Sequence, residues 1–296
     1  MRRPILGSTM LALALLAACG DDKGTTGGVV PSTPSTAVNT TPVAPKTDAP
    51  GTSTTAPTDD PSPVLAKTPE IRFAPTRADA TPWNPQDGAS VTGVAKLMGE
   101  KPPRRKKVPT DKDPKCTEEV REEGEVVSKE MQVKNVFVVV VSGHEKLSFS
   151  KPEAAVKIDQ KGCHYEPHIF GMMAGQKIEV TNSDDTTHNI HGLPKKSKEF
   201  NFTQPRKGQV DNTTLENAEN AVTIKCDIHP WMGAYAFVLP HLLFSVTQDN
   251  GSFEIKGLPD GEYELLAWHE VYGEQRAKVS VKDMKAEAVT FTFEKK

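Results

Sequence analysis

Cys226-Asp227-Ile228-His229-Pro230-Trp231-Met232 places a thiol, an imidazole and a thioether at three-residue intervals. The residues before it, Ala221-Val222-Thr223-Ile224-Lys225, alternate apolar and polar, the pattern of a half-buried strand. Side chains two apart share a strand face, so Cys226 falls on the core side already held by Val222 and Ile224. An inward thiol at a strand end, followed by a tight loop carrying His and Met, can wrap a single metal ion. A second alternating stretch, Gln176-Lys177-Ile178-Glu179-Val180-Thr181, leads through the turn Asn182 to Thr187 into His188-Asn189-Ile190-His191. His188 and His191 are an odd number of residues apart, so in extended chain they point to opposite faces and only one can join the metal. Spacing does not say which.

Two imidazoles and one thiolate in a plane, with a long axial thioether, form the ligand set of a blue-copper electron-transfer site. The pair His188-Asn189-Ile190-His191 and Cys226-x-x-His229-x-x-Met232 resembles the cupredoxins, most closely the amicyanin type with its short ligand loop. The resemblance implies a Greek-key β-sandwich with one type 1 copper ion, held by His188, Cys226, His229 and Met232. It also implies that Asn189 ties the two ligand loops together near the thiolate, and it leaves His191 outside the site. Tyr165-Glu166-Pro167-His168-Ile169, leading to Ala174-Gly175-Gln176, is similar to the first strands of that family. Pro230, Trp231, Met172 and Met173 are expected to form the apolar surround of His229 and a docking patch there. The competing reading makes Cys226 a buried structural thiol and Met232 and Trp231 plain core. Three donor types at these spacings, after a matching His-Asn strand, favour the metal.

The start of the chain reads as a targeting segment. Arg2 and Arg3 precede an apolar run from Ile5 to Ala18, so residues 1–18 are expected to be a signal peptide, too short for a stable membrane span. Leu16-Ala17-Ala18-Cys19 resembles a bacterial lipobox, which implies lipid on Cys19 and attachment to the membrane through it. Gly20 after Cys19 resembles the pattern of outer-membrane lipoproteins. The expected location is the bacterial cell envelope, facing the periplasm or the cell surface. Residues 19–88 are rich in Thr, Pro, Ser, Ala and Gly and bury too little surface to offset the cost of ordering. They are expected to be a disordered tether with a reach of ~100 Å or more.

The remaining chain reads as strands. Ala89 to Leu97 is one. Asn135 to Val141 is continuously apolar and β-branched, so it is expected to be buried on both faces at the centre of a sandwich. Asp249-Asn250-Gly251 reads as a hairpin turn between Leu243–Thr247 and the strand of Phe253 and Ile255. Residues 279–281 and 289–293 close the pattern. The run Thr247-x-x-Asn250-Gly251-Ser252-Phe253-x-Ile255-x-Gly257-Leu258-Pro259-x-Gly261-x-Tyr263 resembles the transthyretin-like regulatory domain found beside some carboxypeptidases. In that family an opening strand is similar to Ser90-Val91-Thr92-Gly93-Val94 and a later one to Asn135–Val141. The expected fold class is therefore all-β. A transthyretin-like sandwich, split over 89–150 and 241–296, is expected with a cupredoxin domain at 151–240 inserted in it or fused edge to edge with it. No peptidase motif accompanies it.

The formal net charge is −3, from 36 basic and 39 acidic residues. A basic run, Pro102 to Lys107, is answered by an acidic one, Glu118 to Glu125. In an exported acidic protein both read as solvated loops, and no nucleic-acid partner is expected. Of the four cysteines, lipid takes Cys19 and copper takes Cys226, leaving Cys116 and Cys163 as a disulfide in an oxidising compartment. Cys163 beside His164, with His168 beyond, leaves a second metal site as the alternative. The ligand loop has no second Cys for a two-copper centre, and the chain has no His-x-His element and no Cys-x-x-Cys-His. The expected function is electron transfer to or from a redox partner protein by a lipid-anchored copper carrier, not an enzyme. A non-redox copper-binding or surface interaction module is the other reading.

Overall fold

The computed structural model describes residues 70–116 and 119–295. The expected signal peptide, Cys19 and the tether up to residue 69 lie outside them. Among the described residues there are nineteen strands and no helix, so the fold is all-β, as the patterns predict. The first four strands are β1 (Thr81–Pro82), β2 (Ala89–Leu97), β3 (Phe137–Ser142) and β4 (Leu147–Ser148). The middle of the chain supplies β5 (Val156–Lys161), β6 (His164–Glu166), β7 (Ile169–Met173), β8 (Lys177–Asn182) and β9 (His188–Leu193). It continues with β10 (Phe200–Gln204), β11 (Val210–Thr214), β12 (Glu219–Lys225) and β13 (Gly233–Leu239). The end supplies β14 (Phe244–Val246), β15 (Ser252–Leu258), β16 (Gly261–His269), β17 (Gly273–Lys282), β18 (Lys285–Ala286) and β19 (Val289–Phe293).

Strands β5 to β13 close on themselves as two sheets, ordered β10-β9-β12-β13-β7 and β11-β8-β5-β6. Strands from either side of that segment make two others, β14-β3-β16-β17-β18 and β15-β2-β19. Each pair of sheets encloses its own apolar cluster. In the middle segment the alternation of β8 and β12 sends Ile178, Val180, Val222 and Ile224 inward with Cys226. In the flanking segment Val91, Ala95, Val138, Val140, Leu265, Phe291 and Phe293 do the same.

A third cluster joins the two sandwiches and explains why β3 and β13 are buried on both faces. Val138 and Val140 face the core of their own sandwich, while Phe137, Val139 and Val141 face outward to the other one. On β13, Ala234, Ala236 and Val238 face the Cys226 cluster while Tyr235, Phe237 and Leu239 meet β3 and β16. Phe137 stacks on Phe237 at 3.9 Å between ring centroids, and Trp268 meets Phe237 edge-on at 5.2 Å. Aromatic pairs of this kind add about 0.5–1.5 kcal/mol beyond their buried area. The double burial read from Asn135–Val141 is present, and a second sandwich rather than a second sheet covers one face.

Two local expectations change. The turn at Asp249-Asn250-Gly251 forms, with Gly251 N–H donating to the Gln248 carbonyl at 2.8 Å and a φ of 68° at Gly251. It joins strands of opposite sheets, because β14 pairs with β3 while β15 pairs with β2, so it is a crossing between layers. Residues 70–88 were expected within the disordered tether and are packed instead. Ile71 is buried in the inter-sandwich cluster, Phe73 meets His241, and Trp83 donates its Nε1–H to the Gly257 carbonyl at 3.0 Å. Three large apolar residues in an otherwise polar stretch were the signal.

The basic and acidic runs face one another. Lys107 and Arg121 form an antiparallel bridge, and Val108 N–H donates to the Val120 carbonyl at 2.9 Å. Arg105 donates to the carbonyls of Arg121 and Glu122, and Arg121 donates back to that of Arg105. These two arms form a strap whose inner residues, Val108, Cys116 and Val120, pack on the Cys226 cluster.

At Gly143 the fold depends on a missing side chain. Gly143 turns the chain after β3 at a φ of 95°, and a Cβ there would lie 2.2 Å from the Glu262 carbonyl oxygen. Gly143→Ala combines a left-handed backbone with a clash against backbone, so it should lower the unfolding free energy by about 1–3 kcal/mol. The urea midpoint measures it, and an unchanged midpoint would mean that β3 and β16 can shift apart at this turn.

Candidate metal centre

The end of β12, the start of β9 and the loop into β13 bring three donors to one point. Antiparallel pairing sets Lys225 opposite His191 and Ile224 opposite Gly192, so Cys226 arrives beside His188 and Asn189. His188 Nδ1 and His229 Nδ1 are 3.0 Å apart, and Cys226 Sγ is 3.8 Å from His229 Nδ1. All three side chains are buried. Met232 is buried in the same cluster, and its backbone closes the ligand loop. Its N–H donates to the His229 carbonyl at 2.9 Å and its carbonyl accepts from Cys226 N–H at 3.2 Å.

Backbone and side-chain contacts hold these donors in place. Asn189 N–H and His229 N–H each donate to Cys226 Sγ at 3.4 Å. The Asn189 side chain spans the two ligand segments, accepting from Asp227 N–H at 3.0 Å and donating to Asn201 Oδ1 at 2.6 Å. The Tyr165 hydroxyl donates to the Asn189 carbonyl. Burial pushes the Cys226 thiol up, but hydrogen bonds from His188, His229 and the two amides outweigh it and bring the group down to about 6. The sulfur is therefore a thiolate at neutral pH, the form that binds metal.

Each imidazole turns its outer nitrogen to a carboxylate. His188 Nε2 lies 2.8 Å from Asp184 Oδ2, and His229 Nε2 lies 2.9 Å from Asp113 Oδ2. A carboxylate at Nε2 keeps a hydrogen on that nitrogen, so a metal that displaces the hydrogen shared with the thiolate would find a lone pair at each Nδ1. Thr186 donates to Asp113 at 2.6 Å and is the first reason that this carboxyl lies below its ordinary range. Burial pushes Asp184 up, yet hydrogen bonds from Cys163 N–H, His188 and Gly162 N–H take it below the ordinary range. Burial lowers His229, while the Cys226 thiolate and Asp113 raise it more.

Asp113 belongs to the strap, and the strap covers the site. Cys116 is bonded to Cys163, the disulfide expected from the cysteine count. Lys115 pairs with Asp185 at 2.7 Å, and Trp231 donates to the Cys163 carbonyl at 3.2 Å while its ring lies 5.1 Å from that of His229. His229 is 2% exposed, so the docking patch expected around it is covered. Pro230 is exposed at the loop tip. Met172 and Met173 do not surround His229. β7 runs parallel to β13 with Met172 level with Val238, six residues beyond Met232. At ~3.3 Å per residue that is ~20 Å along the strand.

His191 faces away from the thiolate, with Nδ1 2.9 Å from Asp227 and Nε2 2.8 Å from Glu199. His164 and His168 also lie outside the centre. His164 meets Glu123 at 3.1 Å, and His168 sits between the Gly233 carbonyl at 2.9 Å and Glu270 at 2.5 Å. Among the described residues, His188, Cys226 and His229 form a group whose ligand atoms all lie within 4.8 Å, and neither His164 nor His168 joins any such group. Asp113 and Asp184 were not singled out from sequence. Asp184 sits four residues before His188 in the turn, which was the available signal. Asp113 is 116 residues from its imidazole, and only its nearness to Cys116 pointed to it.

No family model matches the chain, and no curated protein matches it in sequence. Among the solved structures similar to it are cupredoxins and a copper-containing nitrite reductase. Amicyanin from Paracoccus versutus is 22% identical with a TM-score of 0.26, over 30% of this chain and 84% of that one. A purple cupredoxin from Nitrosopumilus maritimus is 21% identical with a TM-score of 0.24, over 28% of this chain and 99% of that one. A copper-containing nitrite reductase from Thermus scotoductus is 19% identical with a TM-score of 0.26, over 30% of this chain. The match spans 23% of the reductase's own length.

Proposed function

We propose that this chain is a single-electron carrier whose middle sandwich holds one type 1 copper ion between His188, Cys226 and His229, with Met232 as the axial donor. The observation that carries this reading is the convergence of His188 Nδ1, His229 Nδ1 and Cys226 Sγ while both outer imidazole nitrogens are taken by carboxylates. Nitrogens 3.0 Å apart, with a sulfur 3.8 Å from one of them, suit donors bound at about 2.0 and 2.3 Å to one central ion. A bound copper ion would supply a one-electron couple, and a thiolate with two imidazoles and a thioether is the set that favours copper over zinc. The chain's own groups do the rest. Asp184 and Asp113 orient the imidazoles, two amides hold the thiolate, and the buried cluster with the strap excludes water.

As proposals that travel with this one, the chain is a carrier and not an enzyme. It is anchored in the bacterial envelope by lipid on Cys19 and passes electrons to a partner protein. The burial of His229 beneath Asp113 favours a second reading, in which the site stores or delivers copper without redox turnover. The discriminating experiment loads the full chain with Cu(II). One copper per chain should give an intense visible thiolate-to-copper band that bleaches with a mild reductant and returns on reoxidation. Cys226→Ser should abolish the band, and His191→Ala should keep it. A colourless wild-type chain with loosely held copper would sink the carrier reading.

A further inference from the structure

The disulfide beneath the strap sits among more donors than a bridge requires. Two further groups have their ligand atoms within 4.8 Å of one another: Asp113, Cys116 and His229 on one side, Cys163, Asp184 and His188 on the other. The two groups share the Cys116–Cys163 bond. Two sulfurs, two carboxylates and the outer nitrogens of two imidazoles therefore crowd one place. Cys116 Sγ is 3.9 Å from His229 Nε2, the same nitrogen that Asp113 meets at 2.9 Å. The carboxylates are largely enclosed, with Asp113 17% and Asp184 18% exposed. Holding the imidazoles accounts for the carboxylates. It does not account for each half-cystine lying within ligand distance of one of them.

We propose that the Cys116–Cys163 pair, once reduced, is a second metal site for a borderline-soft divalent cation such as Zn²⁺, with Cys116 and Cys163 as thiolate ligands and Asp113 and Asp184 as oxygen ligands. The S–S bond breaks and two thiols form when a dithiol gives two electrons and two protons and closes to its own disulfide, or when a phosphine gives two electrons and becomes its oxide while water supplies that oxygen and the two protons. Binding of the cation then releases both thiol protons. Two sulfurs in non-bonded contact lie ~3.7 Å apart, which is also their separation on one tetrahedral zinc with Zn–S of ~2.3 Å. Two carboxylate oxygens complete four donors of net charge −4, which a divalent cation offsets in part. With the bridge closed the sulfurs carry no charge and the site does not bind. Metal occupancy there is thus set by thiol redox state.

The test uses the full chain carrying Cys19→Ser and Cys226→Ser, which removes the two other thiols and the thiolate of the copper site. After anaerobic reduction with a water-soluble phosphine and its removal, equilibrium dialysis against Zn²⁺ should give one tightly held ion per chain. Co²⁺ in its place should give a near-ultraviolet thiolate-to-cobalt band. The oxidised chain should show neither. Asp113→Asn should weaken zinc binding at least tenfold while both thiols stay titratable. If the double variant does not fold, Cys19→Ser with Cys226→Ala carries the same test. The proposal is overturned if the reduced chain binds no more zinc than the oxidised one. It is equally overturned if the phosphine cannot open the bridge in the folded protein. Either failure leaves the blue band of oxidised wild-type chain unaffected, so it is distinguishable from failure of the carrier reading.

Discussion

Replacing Cys116 and Cys163 together by alanine should lower the unfolding free energy by about 4 kcal/mol, measured in urea against the oxidised wild type. The two residues are 47 positions apart, and closing a loop of that length restricts the unfolded chain by an amount that chain-entropy models place near 4 kcal/mol. Alanine is the suitable replacement because both positions are buried, and a buried serine hydroxyl without a partner would add its own penalty. The effect should be larger than for a loop closed at the surface, because the strap carries Asp113 to His229 and Val108 and Val120 to the core. Freed at its tip, the strap keeps the Lys107–Arg121 bridge and the Lys115–Asp185 pair. The first is a backbone β-bridge, and the second is an exposed ion pair of the sort that contributes about 0–1 kcal/mol. A loss below about 1 kcal/mol would show that the strap's apolar packing already holds it down without the bond.

The strap also marks where reading the sequence stops. Cys226 on the face of Val222 and Ile224 was legible because strand alternation is local, and the same holds for the buried pattern of Asn135–Val141. Alternation limited the metal to one of His188 and His191, the resemblance implied His188, and the pairing of β9 with β12 brings His188 beside Cys226. The two charged runs looked like solvated loops because each is polar by itself. Their partners lie about fifteen residues away, and the contact that matters, Asp113 with His229, spans 116 residues. Met172 and Met173 were placed near the ligand loop because the parallel register of β7 on β13 leaves no trace in either strand. The split of the flanking sandwich around the middle one was suggested by its turn pattern. The packing of β13 against β3 follows from residues such as Phe237 and Phe137, which could equally have faced separate cores.

Across that junction a second large effect is expected, in the pH dependence contributed by His168. Its Nδ1 faces the Gly233 carbonyl at 2.9 Å and its Nε2 faces Glu270 at 2.5 Å. Both neighbours accept hydrogen bonds, so both ring nitrogens carry hydrogen and the buried ring is an imidazolium. Burial pushes His168 down, but Glu270 and then Glu123 overcome it and raise the group to about 9. The neighbouring His269, pushed down to about 3 by burial and by the charge of His168, stays neutral, and Tyr235 and His164 complete the titratable surroundings. A group raised above its ordinary value of about 6.5 stabilises the fold fully below that pH and loses the contribution as pH rises through 9. The difference amounts to up to about 3 kcal/mol for a group this buried. Cys226 runs the other way in the metal-free chain, since a depressed thiol gains stability as pH rises. The measurement is therefore the difference between wild type and Glu270→Gln at each pH, in which Cys226 cancels. That difference should be largest near pH 6 and shrink by up to about 3 kcal/mol by pH 9.5. A difference that stays constant over this range would mean that His168 is already neutral at pH 6 and that Glu270 holds the two sandwiches together without it.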